Sequence, residues 1–295
     1  MKIKEIQIRA IHPVYKECHG FNKFFRVIWM PVCVMFVIPC MQAQNLPFQS
    51  GEELDYNIRY KYGMVVMKGG TAQYGLETTI FNRKQVLKSA LTFKTNSFFD
   101  KIFMIRDTLN SYANLPDLKP LYHNRSVNEG GYHFTEEMLV LKHEFSSTQV
   151  NVKRMRKEIL RVDTVINSEL PGYDLLNIFL FIRNMDYSQF NHGQICTVAT
   201  FLGEKKVNII IKYHGQTILQ KNNTKYKTLK LTIDVVNEVF TESKNAIEVW
   251  ISDDENHVPL KIKAKLRIGA AEAELSSYKN LKYPFTAAIT LTPRK

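Results

Sequence analysis

The chain has 295 residues, of which 45% are hydrophobic and 23% charged, ordinary values for a folded globular protein that exclude a disordered or fibrous one. Its formal net charge of +12 speaks to solubility and to acidic surfaces rather than to any fold. A chain of this length holds one large β domain or two smaller ones.

The first 43 residues differ in kind from the rest. Lys2, Lys4, Arg9, Lys16, Lys23 and Arg26 form a positive leader, and residues 27–41 then run without a charge. This is the layout of a secretory signal peptide. The run holds 15 residues and is interrupted by Pro31 and Pro39. A membrane-spanning helix takes about 20 apolar residues, and a buried core helix would lose hydrogen bonding at each proline. Cleavage is expected after Ala43, although Met41 is larger than the residue usual two places earlier. Val37-Ile38-Pro39-Cys40 resembles a lipoprotein box, but Pro39 stands where a small residue belongs. The expectation is a signal peptide over 1–43 and a single β-rich exported domain over 44–295, periplasmic or associated with the outer membrane. Two lobes hinged near 164–190 are the other arrangement that fits.

Cys18, Cys33 and Cys40 fall in the leader, which leaves Cys196 alone in the exported part and allows no internal disulfide. Cys196 lies in the apolar stretch Ile195-Cys196-Thr197-Val198 and reads as a small core hydrophobe rather than a nucleophile. The leader carries six positive and two negative residues, so the exported part keeps about +8. Outside the cytoplasm that field suits anionic lipid head groups or acidic glycans, and no nucleic acid is expected as a partner.

From Gly51 onward the dominant period is two. Residues 57–62, 225–227, 230–234 and 260–268 alternate apolar with polar, as strands do when one face of a sheet covers a core and the other is wet. Turn signals separate such segments: Lys68-Gly69-Gly70, Asn128-Glu129-Gly130-Gly131, His214-Gly215, Asn222-Asn223 and the polar run 252–256. The spacing predicts ten or more strands in a mainly β fold: a large antiparallel curved sheet, a sandwich or a partly open barrel. One helix interrupts the pattern. Asp174 is a good N-cap residue, and seven of the eight residues from 175 to 182 are apolar before Arg183, so the helix should be buried nearly all round in the hollow of the sheet.

Several segments together resemble a bacterial exported family known as domain of unknown function 3108. They are Gly51-Glu52-Glu53-Leu54-Asp55-Tyr56, the Gly69-Gly70-Thr71-Ala72 turn, Tyr173-Asp174-Leu175-Leu176 with Arg183, Val249-Trp250-Ile251-Ser252-Asp253-Asp254 followed by Pro259-Leu260, and residues 269–275. The resemblance implies an envelope-located, β-rich single domain and brings no catalytic residue with it.

Four patterns invite chemistry, and each has a plainer reading. Ser252-Asp253-Asp254-Glu255 lacks the alternating acids, glycine and closing glutamate of a calcium loop and reads as a polar turn. His123, His133 and His143, ten residues apart, hold one zinc ion only if strand register cooperates. Ser276-Ser277-Tyr278-Lys279 matches the S-x-x-K string of penicillin-interacting enzymes without its companion motifs. Lys261, Lys263, Lys265 and Arg267, with a second cluster at Lys153, Arg154, Arg156 and Lys157, read either as a docking surface for anionic lipid or glycan or as a solvated strand face.

The expected function is that of a non-catalytic envelope protein binding an apolar or amphiphilic ligand, or an envelope partner, with no metal or cofactor. The candidate apolar pocket is formed by Tyr173, Leu176, Phe179, Arg183 and Trp250. A hydrolase acting on envelope polymers is one alternative, and a structural or assembly protein the other.

Overall fold

Alternating residues build strands from residue 53 to residue 289. The computed structural model describes residues 45–289 apart from 116, 145, 238, 239 and 267. The expected leader with its three cysteines, and Arg267, lie outside the described residues. In chain order come β1 (Glu53–Tyr62), β2 (Val65–Phe81), β3 (Lys84–Thr95), the short helix α1 (Ser97–Phe103), β4 (Arg106–Asn114), β5 (Pro120–Glu129), β6 (Tyr132–Glu144), β7 (Ser147–Arg156), β8 (Ile159–Ser168), β9 (Gly172–Tyr173) and helix α2 (Leu175–Arg183). They are followed by β10 (Ile195–Leu202), β11 (Lys205–Lys221), β12 (Thr224–Asn237), β13 (Phe240–Ser252), β14 (Pro259–Lys265), β15 (Ala270–Lys279) and β16 (Ala288–Ile289).

Hydrogen bonds join these strands into one sheet of order β8-β7-β6-β5-β4-β3-β2-β1-β15-β14-β13-β12-β11-β10-β9, with β16 beside β12. Two meanders therefore run outward from the β1–β15 pair. They end on β8 and β9, neighbours in sequence that stand at opposite edges of the sheet. The link between them bridges the seam: the Gly172 amide donates to Thr148 Oγ1 on β7 at 2.7 Å, and Phe201 of β10 packs with Met138, Val150 and Val152 of β6 and β7. The result is the large curved sheet expected from the alternation, closed nearly into a barrel. The two residues of β9 pair parallel with β10 at Ala199 and Thr200.

Helix α2 forms where predicted and fills the hollow. The Asp174 carboxylate accepts from the amides of Leu176 and Asn177 at 2.9 and 3.0 Å, satisfying two of the donors a helix start leaves open. On one side Leu176 and Leu180 pack with Leu54, Tyr56, Tyr74 and Leu260. On the other, Ile178 and Ile182 pack with Val198, Ile211, Leu231 and Ile251. Nine residues make a marginal helix in isolation, but each large apolar side chain buried in this way contributes about 2 kcal/mol, so packing holds the helix. Helix α1 was not legible in the sequence. It spans seven residues, buries none of them and is marked only by its cap, Asn96, which accepts from the Phe99 amide.

The seam generates a stability prediction. A methyl group added at Gly172 would stand 2.5 Å from Cε2 of Phe201, so Gly172→Ala is expected to destabilise by about 1–3 kcal/mol through overpacking. Phe201→Leu, made in that background, should recover part of the loss in chemical denaturation.

Candidate functional site

The five residues proposed as an apolar pocket divide into three locations. Leu176, Phe179 and Arg183 share one side of α2, where the Phe179 ring lies 4.6 Å from that of Tyr74. Tyr173 packs on the other side, its ring 4.7 Å from Phe181 and 5.5 Å from His143. Trp250 stands on the outer face of β13, because its neighbours Val249 and Ile251 point inward, and the Lys230 amine sits 5.1 Å above its ring. Trp250 therefore shares no surface with the other four. The space around α2 that sequence reasoning assigned to a ligand is occupied by the side chains of the two clusters.

Arg183 does more than line that side. It is fully buried and forms a bidentate pair with Glu52, also fully buried, at 2.5 and 3.0 Å. Its Nε and second amino group donate to the Asn256 carbonyl at 3.3 and 3.0 Å, and the Phe48 ring lies 5.1 Å from the guanidinium carbon. Burial works against the guanidinium charge, but the Glu52 carboxylate outweighs it and holds the group protonated. Tyr56 and Tyr74 lie close by, and burial keeps both phenols neutral, with pKa values pushed well above the ordinary one.

Beyond Arg183 the helix ends in an open cleft of about 590 Å³. Tyr187 and Tyr213, rings 5.5 Å apart, form its aromatic floor, and His257 stands 5.1 Å from Tyr187. Nδ1 of His257 is 2.8 Å from the Arg183 carbonyl; a carbonyl only accepts, so Nδ1 carries the proton and Nε2 of the neutral ring is an acceptor. Burial lowers the pKa of this imidazole. Asp253, Glu255, Asp186 and Tyr283 complete the wall. Most acids nearby serve the fold. Asp254 accepts from Ser252 Oγ, the Asn256 amide and the Thr286 amide, Asp186 accepts from the amide and hydroxyl of Ser188, and Asp253 accepts from Gln216. The 252–256 run is thus a polar turn whose bonds shape it and tie it to Gln216 and Thr286. Of the cleft, only this acidic turn was legible in the sequence; Tyr187 and Tyr213 carry no local signal, and the fold alone brings them together.

With this geometry in hand, the model of the family described as protein of unknown function (DUF3108) matches residues 55–276. The chain belongs to that family. No curated protein matches the chain. Among solved structures, the crystal structure of a beta-barrel-like protein of domain of unknown function DUF1849 from Brucella abortus is similar, with a TM-score of 0.53 at 8% identity, covering 79% of this chain and 99% of that one. At that identity the likeness is one of fold. In the DUF3108 chain three of the segments that carried the family resemblance meet near the buried arginine: Glu52 pairs with it, Asp174 caps its helix, and Tyr56 donates to the Pro259 carbonyl at 3.0 Å.

The remaining patterns of this DUF3108 protein fall apart in space or into the scaffold. His133 is exposed, whereas His123 and His143 lie on the inner side of their strands. Ser276, Ser277 and Lys279 belong to β15, where they bond to Asp55 and Glu53. Lys261 is neutralised by Glu272 and Glu274 at 3.0 and 3.3 Å. Burial pushes the Cys196 thiol up to about 11, which keeps it protonated. His123 faces Asp174 at 3.5 Å, too long for a strong hydrogen bond, and its Nδ1 has no partner among the described residues. Burial therefore wins over the carboxylate and lowers the imidazole pKa, with Arg125 adding to the effect and Glu136 opposing it.

Arg183→Met or Glu52→Leu alone strands a buried charge and should cost about 3–5 kcal/mol in denaturant unfolding, while the double variant should cost far less than the sum. His123 binds its proton less readily folded than unfolded, so its contribution is intact above about 6.5 and is lost as pH falls toward the lower folded value. His123→Leu should reduce the slope of unfolding free energy between about pH 6.5 and 5 by up to about 1.4 kcal/mol per pH unit.

Proposed function

We propose that this DUF3108 protein is exported through a cleaved signal peptide, resides in the periplasm or at the outer membrane, and there binds an amphiphilic ligand without catalysing a reaction. Export is supported by the positive leader and the charge-free, proline-broken run of residues 27–41. Binding rests on one observation: the open cleft of about 590 Å³ at the C-terminal end of α2, a volume within the range of about 300–1,000 Å³ usual for small-molecule sites. Its tyrosines offer apolar faces, and Asp253, Glu255 and Nε2 of His257 offer acceptors, so the complementary ligand has an apolar ring or chain on one side and hydroxyl or amino donors on the other. Asp254 and Asp186 are held in structural bonds, so neither carboxylate is free for the proton exchange that hydrolysis of an envelope polymer would ask of it.

Native mass spectrometry of the processed protein purified from its own cells tests this. A non-covalent adduct is expected on the wild type. Gln216→Trp, which sets an indole into the cleft from an exposed position, should abolish it. An adduct of equal occupancy on the variant, or none on the wild type, would sink the reading.

A further inference from the structure

Of the 21 large apolar side chains exposed among the described residues, 14 stand at one end of the barrel, while Ile80, Ile195 and Ile218 are among those elsewhere. Alternate hairpin tips of an up-and-down sheet point the same way, and here they include the β1–β2 turn, helix α1 between β3 and β4, and the β5–β6, β7–β8, β10–β11 and β14–β15 turns. On these tips Met64 is 99% exposed, Ile102 69%, Ile268 62%, Tyr62 59%, Phe98 57% and Ile159 53%. Large apolar groups standing in water on several separate loops at one end mark an interaction site. The same end is basic. Lys61, Lys68, Lys94 and Lys101 are exposed around the β1–β2 turn and α1. A pocket of about 340 Å³ lies between Tyr132, Arg154, Arg156, Arg161 and Glu204. Arg154 is held there by Glu136, and Arg156 stacks 4.2 Å over the Tyr132 ring; Arg156 and Arg161 are both exposed. The outer wall behaves differently, for Lys88–Glu77, Lys230–Glu248 and Lys153–Asp163 pairs run along it and disfavour burial in hydrocarbon.

We infer that this end docks on the surface of a bilayer rich in anionic phospholipid, the apolar tips entering the head-group boundary and the arginine pocket taking a head-group phosphate. Apolar anchors and basic residues act together in such docking, each alone being weak. The cleft lies toward the other end, beside the turn that joins β13 to β14, and faces away from the bilayer. The inference does not rest on the cleft being a ligand site.

Residues 43–295 form a compact unit and suffice for the test, which is sedimentation with vesicles of phosphatidylglycerol mixed with phosphatidylcholine or of phosphatidylcholine alone. Binding is expected to the mixed vesicles only and to weaken with salt. The double variants Met64→Asp/Ile102→Asp and Arg156→Glu/Arg161→Glu should each reduce it by about tenfold or more, with unchanged thermal unfolding because all four positions are exposed. Gln216→Trp should bind as wild type, which separates this result from any failure of the cleft reading. Failure of the wild type to bind anionic vesicles, or equal binding by all variants, would overturn the inference. So would a dimer in solution that Met64→Asp dissociates, since a second copy would then be what covers the tips.

Discussion

A single buried guanidinium fixes the internal arrangement of the barrel. Taking Arg183 and Glu52 out of water costs several kcal/mol per ion, and only close, fully hydrogen-bonded geometry offsets that. The site meets the condition: two bonds to Glu52, two to the Asn256 carbonyl and an aromatic face from Phe48. Hydrophobic contact is non-directional, and a helix with leucine and isoleucine on both sides can slide or rotate among apolar neighbours at little cost. The ion pair removes that freedom at the C-terminal end of α2. The N-terminal end is pinned in the same manner, where Asp174 caps the helix and accepts from Ser111 Oγ on β4 at 2.7 Å. A helix apolar along its flanks and polar at both buried ends has one register in its barrel.

The same arginine ties together segments that are remote in the chain. Asn256, whose carbonyl it engages, donates through its side chain to the carbonyl of Tyr283 and accepts from the Tyr283 amide. Tyr283 in turn donates to Asn45 at 2.6 Å, and Lys282 donates to the Leu46 carbonyl. The residues before β1, the end of α2, the β13–β14 turn and the segment after β15 thus form one network, and the wall of the cleft is built from it. A cleft so braced holds its own shape, and a ligand of the kind proposed would meet a low ordering cost there.

What was legible in the sequence follows from how local each signal is. Strand alternation and the Asp174 cap depend on residues within a few positions, so the β class, the strands at 57–62 and 260–265, and α2 could all be read in advance. Trp250 illustrates the limit. An aromatic residue beside a buried helix is easily assigned to the same pocket, but the face of a strand on which it lies is decided by parity with Val249 and Ile251, and only the fold shows that those two point inward. The basic ladder shows the complementary limit: Lys261 looks like a free charge until register places Glu272 and Glu274 on the neighbouring strand. Arg183 was visible as a helix end, and its partner Glu52, 131 residues away, was invisible.

The two ends of the barrel differ in construction, and the difference is informative. One is closed by the arginine network, where a substitution propagates through four chain segments. The other consists of short hairpin tips whose exposed residues support nothing beneath them; helix α1 there buries no residue at all. Tips of that kind can change side chains without touching the core, so selection for folding alone would favour polar residues on them, as on other exposed turns. Met64, Ile102 and Ile268 are apolar instead, at positions where most or all of the side chain faces water in the isolated chain. Stability gives no reason for such residues, and exposure to solvent gives a reason against them, so their occurrence on several separate tips at one end calls for a contact made outside the fold.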